Sequence, residues 1–295
     1  MRALAILGPN AREQDLALFR ASGGEVTVTK DLAQATAQQA ADAVLLLGGD
    51  GTVQRQLADL VRIQIPLLVV PAGSANDFAR ALGLRTRAQT LRAWATFVRS
   101  GNNVRQIDVG VLRFAGEGAR ATKTPTYFCC AAGAGVDALA ARQAGSMPGW
   151  LRGHGGYFLA AISALLRFRA QTIRVSASGP EGAFQPTISE PGILVAAANT
   201  PWYGHGMRIA PQAQLDDGQL EVCFVRRVGK VRLLRFFPKV YRGTHVGLPQ
   251  VEYFRAGSVR IESEQPLGVH ADGEPVGQTP VEVNVTPKAL RVIVG

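Results

Sequence analysis

The sequence predicts an α/β domain over residues 1–104 followed by a mainly antiparallel β domain over 105–295. Three observations lead there. Short continuous apolar runs at 4–7, 43–47 and 67–70 each end in a Gly- or Pro-rich turn, with polar, Ala-rich stretches of helical spacing between them. From about residue 105 the texture changes to Val/Ile-rich segments with period-two alternation and frequent turns. A chain of 295 residues that is 47% hydrophobic is also long enough to bury two cores.

The first run, Leu4-Ala5-Ile6-Leu7, stops at Gly8-Pro9. It is too short for a signal-peptide core and reads as a buried strand. Next, Val26-Thr27-Val28 leads to Thr29. The run Val44 to Leu47 then enters Gly48-Gly49-Asp50-Gly51-Thr52-Val53, after which Val53, Leu57 and Leu60 mark one face of a helix. Such a turn can present backbone N–H groups to phosphate, because glycine permits positive φ and close approach of the backbone. Asp50 would then influence a Mg²⁺ or a reacting hydroxyl. Taken alone, such a turn is structural more often than it is catalytic.

The third run leads into Pro71-Ala72-Gly73-Ser74-Ala75-Asn76-Asp77-Phe78-Ala79-Arg80. Ser74 or Asn76 is placed to cap the helix that carries Phe78, Ala79 and Leu82. A functional reading adds hydroxyl, amide and helix N-terminal donors facing the first turn across one strand. In a parallel sheet, ligands bind at the carboxyl ends of the strands, where Gly8-Pro9, Gly48 to Thr52 and Pro71 to Asn76 all fall.

In the second domain the expected strands are 105–112, 126–131, 173–177, 192–198, 219–225, 259–262, 281–285 and 290–294, with helices at 156–169 and 230–241. The last strand is free to return to the first domain. Asp-Gly between Val269 and Val276 signals a hairpin turn.

Composition narrows the function. Cys129, Cys130 and Cys223 are an odd count without Cys-x-x-Cys or a His at ligand spacing, which argues against a disulfide framework or a zinc site. An excess of 32 Lys+Arg over 22 Asp+Glu, net +10, favours contact with nucleic acid, nucleotide phosphates or an anionic membrane surface. No helix-turn-helix, RNA-recognition or zinc pattern organises nucleic-acid binding. The most apolar later run, 158–166, falls well short of the ~18 residues that span a bilayer, so a soluble or peripheral protein is expected. Arg226, Arg227, Lys230, Arg232, Arg235, Lys239 and Arg242 share one acid-free segment with Leu233, Leu234, Phe236, Phe237, Val240 and Tyr241. That pattern suits either an interfacial docking helix or a surface helix whose Phe residues pack into the β domain, and Pro238 predicts a kink or a break.

The glycine turn and the 71–80 loop are followed in order by Gly135-Val136-Asp137-Ala138, Ala198-Asn199, Gly204-His205-Gly206-Met207, Ala210-Pro211-Gln212-Ala213-Gln214-Leu215-Asp216-Asp217-Gly218, and Asp272-Gly273-Glu274 ahead of Thr279-Pro280. This ordered series resembles the bacterial diacylglycerol kinases and related lipid kinases, a family reaching to sphingosine and ceramide kinases and, more distantly, NAD kinases. The resemblance implies a Rossmann-like nucleotide-binding domain, a C-terminal β-sandwich domain, and ATP and lipid meeting in the cleft between them. It implies nucleotide contacts at Gly48, Gly49, Asp50, Gly51, Thr52, Val53, Gln54 and Arg55, at Gly73, Ser74 and Asn76, and at Thr29. Glu274 would be the general base, with Asp272 its active-site neighbour and Asp50 serving nucleotide and Mg²⁺.

A structural Mg²⁺ is implied on the Asp217 carboxylate with the Gln214 and Gln219 carbonyls, hard oxygens of the kind Mg²⁺ prefers. The implied activity is phosphoryl transfer from MgATP to a hydroxyl of diacylglycerol or a related glycerolipid, by a cytoplasmic protein peripheral to the inner face of the membrane. A homodimer stays open, because the sequence does not reveal the oligomeric state. Two alternatives remain: a soluble-substrate kinase closer to NAD kinases, and a non-catalytic nucleotide or lipid sensor. The departures from the family pattern are Gln54-Arg55 in place of Asn-Glu, Cys130 in place of Asn, and Gly8-Pro9-Asn10-Ala11-Arg12 in place of an Asn-Pro opening, with Arg12 still in reach of phosphate.

Overall fold

The computed structural model describes residues 1–38, 40–114, 125–145, 163–164, 167–178 and 183–295. The chain divides into two compact units, Met1–Asp108 with Pro287–Gly295, and Val109–Thr286. The helix expected over 156–169 lies largely outside the described residues.

The first unit contains β1 (Arg2–Leu7), α1 (Ala17–Ala21), β2 (Glu25–Val28), α2 (Leu32–Gln38), β3 (Ala43–Gly48), α3 (Asp50–Ile63), β4 (Leu67–Pro71), α4 (Asp77–Ala81) and α5 (Arg87–Ser100). The parallel order is β2-β1-β3-β4. Residues of β3 and β4 such as Leu45, Leu46, Leu67 and Leu68 are wholly buried, as expected for strands covered on both faces. One cover is α3, which buries Val53, Leu57 and Leu60. Another is α5, opened by a reciprocal cap between Thr86 and Gln89, whose buried Trp94 donates from Nε1 to the Phe19 carbonyl at 3.1 Å. The chain leaves β1 for β2 on one side and comes back to β3 on the other. The crevice at this reversal of strand order, outside the carboxyl ends of β1 and β3, is where an open α/β sheet binds ligands.

The chain leaves this unit along β5 (Val104–Phe114). The second unit holds β6 (Thr126–Phe128), β7 (Ala131–Gly135), α6 (Val136–Gly145), β8 (Gln171–Ser178), β9 (Phe184–Ala198), β10 (Leu220–Arg226), α7 (Lys230–Arg242), β11 (Val251–Ala256), β12 (Ser258–Ser263), β13 (Gly268–Ala271) and β14 (Glu274–Gln278). Strand β9 is central and pairs antiparallel with β7, β8 and β10. Its alternation serves two cores: Val195 and Ala197 face one, Leu194, Ala196 and Ala198 the other. Leu233, Phe237 and Val240 of α7 pack on the second core, so the apolar face of this basic helix is turned into the protein. The helix runs through Pro238. A proline within the last turns removes a single ladder bond, and here the helix absorbs that loss.

The segments expected at 281–285 and 290–294 form one strand, β15 (Val281–Ile293). It passes Pro287 by way of Lys288 at φ 52, whose N–H donates to buried Asp108 at 2.8 Å. Its first part pairs antiparallel with β12, and its end pairs parallel with β4 through Val292 opposite Leu67.

Candidate active site

In the first unit the glycine turn and the 71–80 loop are in direct contact. A Cβ added to Gly73 would lie 2.5 Å from Gly49 Cα, and one added to Gly49 would lie 2.9 Å from Gly73 Cα. Glycine is therefore required here for close approach. The sequence also suggested positive φ, but Gly49 sits at φ −101, ψ −176 as the N-cap of α3. Gly8 closes the third side: its N–H donates to the Leu47 carbonyl at 2.7 Å, and a Cβ there would meet Thr52 Oγ1 at 2.9 Å.

Asp50 locks the two loops together. Its Oδ2 accepts the Asp77 N–H and its Oδ1 the Phe78 N–H, both at 3.0 Å. The α4 N-terminus is thus capped by a carboxylate from another helix. Ser74 or Asn76 was the expected cap, but Asn76 adopts φ 52 and folds its amide back on Gly73, accepting from its N–H at 2.8 Å and donating to its carbonyl at 2.7 Å. Buried Asp77 also binds Arg80.

The remaining nucleotide candidates sit around this joint. Thr52 and Val53 are buried in the first turn of α3, where their N–H groups bond the Gly49 carbonyl at 2.9 and 3.2 Å. Asp50 and Gly51, first in the helix, have no intrahelical acceptor for theirs, and the helix dipole adds to their pull on an anion. Gln54 is half-buried and Arg55 exposed, with Arg55 Nη2 donating to Thr52 Oγ1 at 3.4 Å. A cation replacing the usual carboxylate thus lies along the first turn of α3. Ser74 is exposed on the partner loop. Thr29 follows β2 at the same carboxyl edge, two strands or about 10 Å from the glycine turn. Its hydroxyl is engaged by Asp31, accepting the backbone N–H at 3.1 Å and donating to the carbonyl at 3.0 Å.

In the second unit Asp272 and Gly273, at φ 47 and 87, form the two-residue turn between β13 and β14, and the closing pair is Ala271 opposite Glu274. Asp272 Oδ2 accepts the Cys129 N–H at 2.7 Å, while Oδ1 accepts those of Cys130 and Ala131 at 2.8 and 3.1 Å. Asn199 holds the other side of that turn, donating from Nδ2 to the Cys129 carbonyl at 3.2 Å and from its backbone N–H to the Cys130 carbonyl at 2.8 Å. The cradle around Asp272 uses backbone, so the presence of Cys at position 130 leaves it standing. Glu274 is exposed beside it.

Behind the hairpin is a pair that sequence reasoning did not single out. His270 Nε2 lies 3.3 Å from Asp137 Oδ2, and both residues are buried. His270 Nδ1 is 3.0 Å from the Gly133 carbonyl, so it carries a proton and donates. Burial raises the pKa of Asp137, opposed by His270 and by the Ala138 N–H. His270 lies on a strand with too short an apolar pattern to be read from sequence.

Asp217 offers a metal ligand with partners already in place: Oδ1 accepts the Gln219 N–H at 3.1 Å and Oδ2 accepts Arg255 Nη2 at 2.6 Å. Each carboxylate oxygen keeps a second lone pair, and with the Gln214 and Gln219 carbonyls the set is all hard oxygen, which fits Mg²⁺. Among the described residues no group of three His, Cys, Asp or Glu side chains stands at metal-holding distances, so such a site depends on backbone carbonyls.

Comparison with known proteins matches residues 10–112 to the diacylglycerol kinase catalytic domain and residues 130–294 to the YegS C-terminal NAD kinase beta sandwich-like domain. The diacylglycerol kinase of Mycobacterium tuberculosis is 33% identical over 271 residues, 92% of this chain and 82% of that protein. The diacylglycerol kinase of Bacillus subtilis is 27% identical over 82% of this chain and 74% of its own length. In fold, the chain is similar to the crystal structure of a diacylglycerol kinase from Bacillus anthracis, with TM-score 0.66 and 19% identity over 100% of this chain and 97% of that one. It is also similar to an NAD kinase from Archaeoglobus fulgidus in complex with ATP, with TM-score 0.54 and 12% identity over 99% and 93% of the two chains.

Proposed function

The chain belongs to the lipid kinase family of the diacylglycerol kinase catalytic domain, and we propose that it transfers the γ-phosphate of MgATP to a hydroxyl of diacylglycerol or a related glycerolipid. The observation that carries this reading is the joint at Asp50, where two glycine loops and two helix N-termini meet at the carboxyl edge of the sheet. Backbone donors of Asp50 and Gly51, with Arg55 alongside, suit a triphosphate. Gly48, Gly49, Thr52, Val53, Gly73 and Asn76 shape the cradle, while Gln54, Ser74 and Thr29 border it. Lone pairs left on Asp50 would serve as ligands for a Mg²⁺ accompanying the nucleotide.

Glu274 takes the proton of the acceptor hydroxyl as its oxygen bonds to the γ-phosphorus; the bond from phosphorus to the bridging oxygen breaks and ADP leaves. Asp272, occupied by three N–H donors, positions Glu274 instead of exchanging protons. Asp217 with the Gln214 and Gln219 carbonyls would hold a structural Mg²⁺ that orders the 214–219 loop. The exposed cations of α7 bring the protein to an anionic lipid surface as a peripheral partner, and among the described residues no helix is long and apolar enough to cross a membrane.

The test incubates the protein with γ-labelled ATP and a total bacterial lipid extract. Labelled lipid is expected, and Glu274→Ala should lower its rate by at least about a hundredfold. An ATP-binding protein that labels no lipid would sink the proposal, and undiminished labelling by Glu274→Ala would remove the base.

A further inference from the structure

The hairpin that presents Glu274 is weakly held along its outer side. Strand β14 is largely exposed and, among the described strands, pairs with β13 alone. The register between the two also slips: Val269 pairs with Gly277 but His270 with Pro275, which leaves Val276 over as a bulge. A bulge interrupts the ladder and bends the strand that carries it. The position of the hairpin is therefore set from its inner side, where β13 lies against β7 and α6.

His270 is the residue of β13 at that point. It stands opposite Gly133 of β7, and its Nδ1 donates to the Gly133 carbonyl at 3.0 Å. Gly133 leaves room for the Asp137 carboxylate: a Cβ there would lie 3.0 Å from Asp137 Oδ2 and 2.6 Å from the Val195 carbonyl oxygen. Asp137 Oδ1 accepts the Ala138 N–H at 2.9 Å, which leaves Oδ2 for His270. The 3.3 Å between Oδ2 and Nε2 is slightly beyond an ordinary hydrogen bond, and neither buried atom has another partner in the structure. With Nδ1 already protonated, a proton between them belongs either to an imidazolium facing a carboxylate or to a carboxylic acid facing a bare nitrogen. Its loss would set a carboxylate against a lone pair, away from solvent.

Desolvation raises the pKa of Asp137 against the pull of His270 and the Ala138 N–H, which favours keeping that proton. Around the pair, the Cys223 thiol is pushed up to about 12 and stays neutral. Burial lowers the pKa of His245, which lines a cavity with Asp137, so that ring is neutral as well. The Tyr203 ring lies 6.1 Å from that of His270.

We infer that His270 and Asp137 are positioning residues for phosphoryl transfer: one proton held between Nε2 and Oδ2 pins β13 to β7 and α6 and so fixes where Glu274 stands. The inference rests on the lipid kinase reading above. A base displaced by about 1 Å loses on the order of a hundredfold in rate, so a loosened pin shows in kcat.

Turnover of dioctanoylglycerol with labelled MgATP, followed across pH, tests this. Asp137→Asn keeps an oxygen for the Ala138 N–H and puts an amide N–H where Oδ2 stood, so it holds Nε2 without a proton to lose. The wild-type kcat should fall on the alkaline side as the pair loses its proton, and Asp137→Asn should lack that limb. The acid limb from protonation of Glu274 should stay in both. His270→Phe and Asp137→Ala each break the contact and should lower kcat roughly ten- to a hundredfold with KM for ATP unchanged. Hydrogen exchange over 268–278, read by mass spectrometry, should run roughly tenfold faster in both breaking variants and at the wild-type rate in Asp137→Asn. Thermal melting and calorimetric ADP binding report folding, and if a breaking variant fails to fold, the pH profile of Asp137→Asn decides. An alkaline limb retained in Asp137→Asn, or a folded His270→Phe that melts lower but keeps the wild-type kcat, overturns the inference and leaves the kinase reading intact. No labelled lipid from the wild type sinks the kinase reading instead, and the exchange rates then decide: faster exchange in the breaking variants keeps the pin, and equal exchange removes it.

Discussion

Asp50 and Asp272 each gather backbone N–H groups from a distant stretch of chain, Asp50 from α4 and Asp272 from the turn at Cys129 to Ala131. Hydrogen bonds to a charged acceptor are worth about 1.5–3 kcal/mol each, and the donors left behind are costly when they stay buried. Asp50→Ala should therefore lower stability by on the order of 3 kcal/mol in urea unfolding and weaken ADP binding at the same time. An unchanged urea midpoint would show that the joint is ornamental. A different residue tests burial. The Cys223 thiol is pushed up to about 12, first by desolvation and then by the charge of Asp137. Near pH 8 its thiolate fraction is ~10⁻⁴. Mass spectrometry after iodoacetamide treatment should find Cys223 unmodified in the native protein and alkylated in urea.

Among the elements, α7 makes the clearest prediction, because one face packs on the core and the other carries exposed cations. Each cation near an anionic surface contributes about 1 kcal/mol, so changing Arg232, Arg235 and Lys239 together to Glu should weaken binding to phosphatidylglycerol vesicles by roughly a hundredfold or more. Binding that survives the change would assign the cations another purpose. This scale also separates what the sequence displays from what it hides. Strands β1, β3 and β4 are legible because covering both faces demands unbroken apolar runs, and α3 because its buried residues repeat at helical spacing. Strand β14 is hidden because it lies largely exposed, and β11 because only Gly257 separates it from β12. The cap supplied by Asp50 to α4 cannot be read from spacing, since its partners are 27 and 28 residues away and meet only once the sheet is built. The pair of His270 with Asp137 is hidden for the same reason.

For the whole molecule, the telling fact is that the first unit contains two separated stretches of chain. Residues 287–295 are tied into it by hydrogen bonds of Gln64 Nε2 to the Ala289 carbonyl at 2.7 Å, Asn103 Nδ2 to the Val294 carbonyl at 3.0 Å, and the Gly295 N–H to the Leu82 carbonyl at 3.2 Å. Pairing over that separation leaves no local signature, which is why the sequence offers the return of the last strand only as one option. A fragment of residues 1–108 should unfold without a cooperative transition, and joining residues 287–295 to it through a flexible linker should restore one by circular dichroism. Equal cooperativity of both fragments would show that β4 does not need its neighbour.

The same division orders events on the ribosome. The glycine turn and the 71–80 loop are made well before residues 287–295, yet β4 beside them keeps an apolar edge without that partner until residue 287 and those after it have been made. An open strand edge is a template for pairing with other chains. The nascent chain therefore carries this sticky edge through the making of the whole second unit, and the demand for chaperones should fall once residues 287–295 are free to pair with β4.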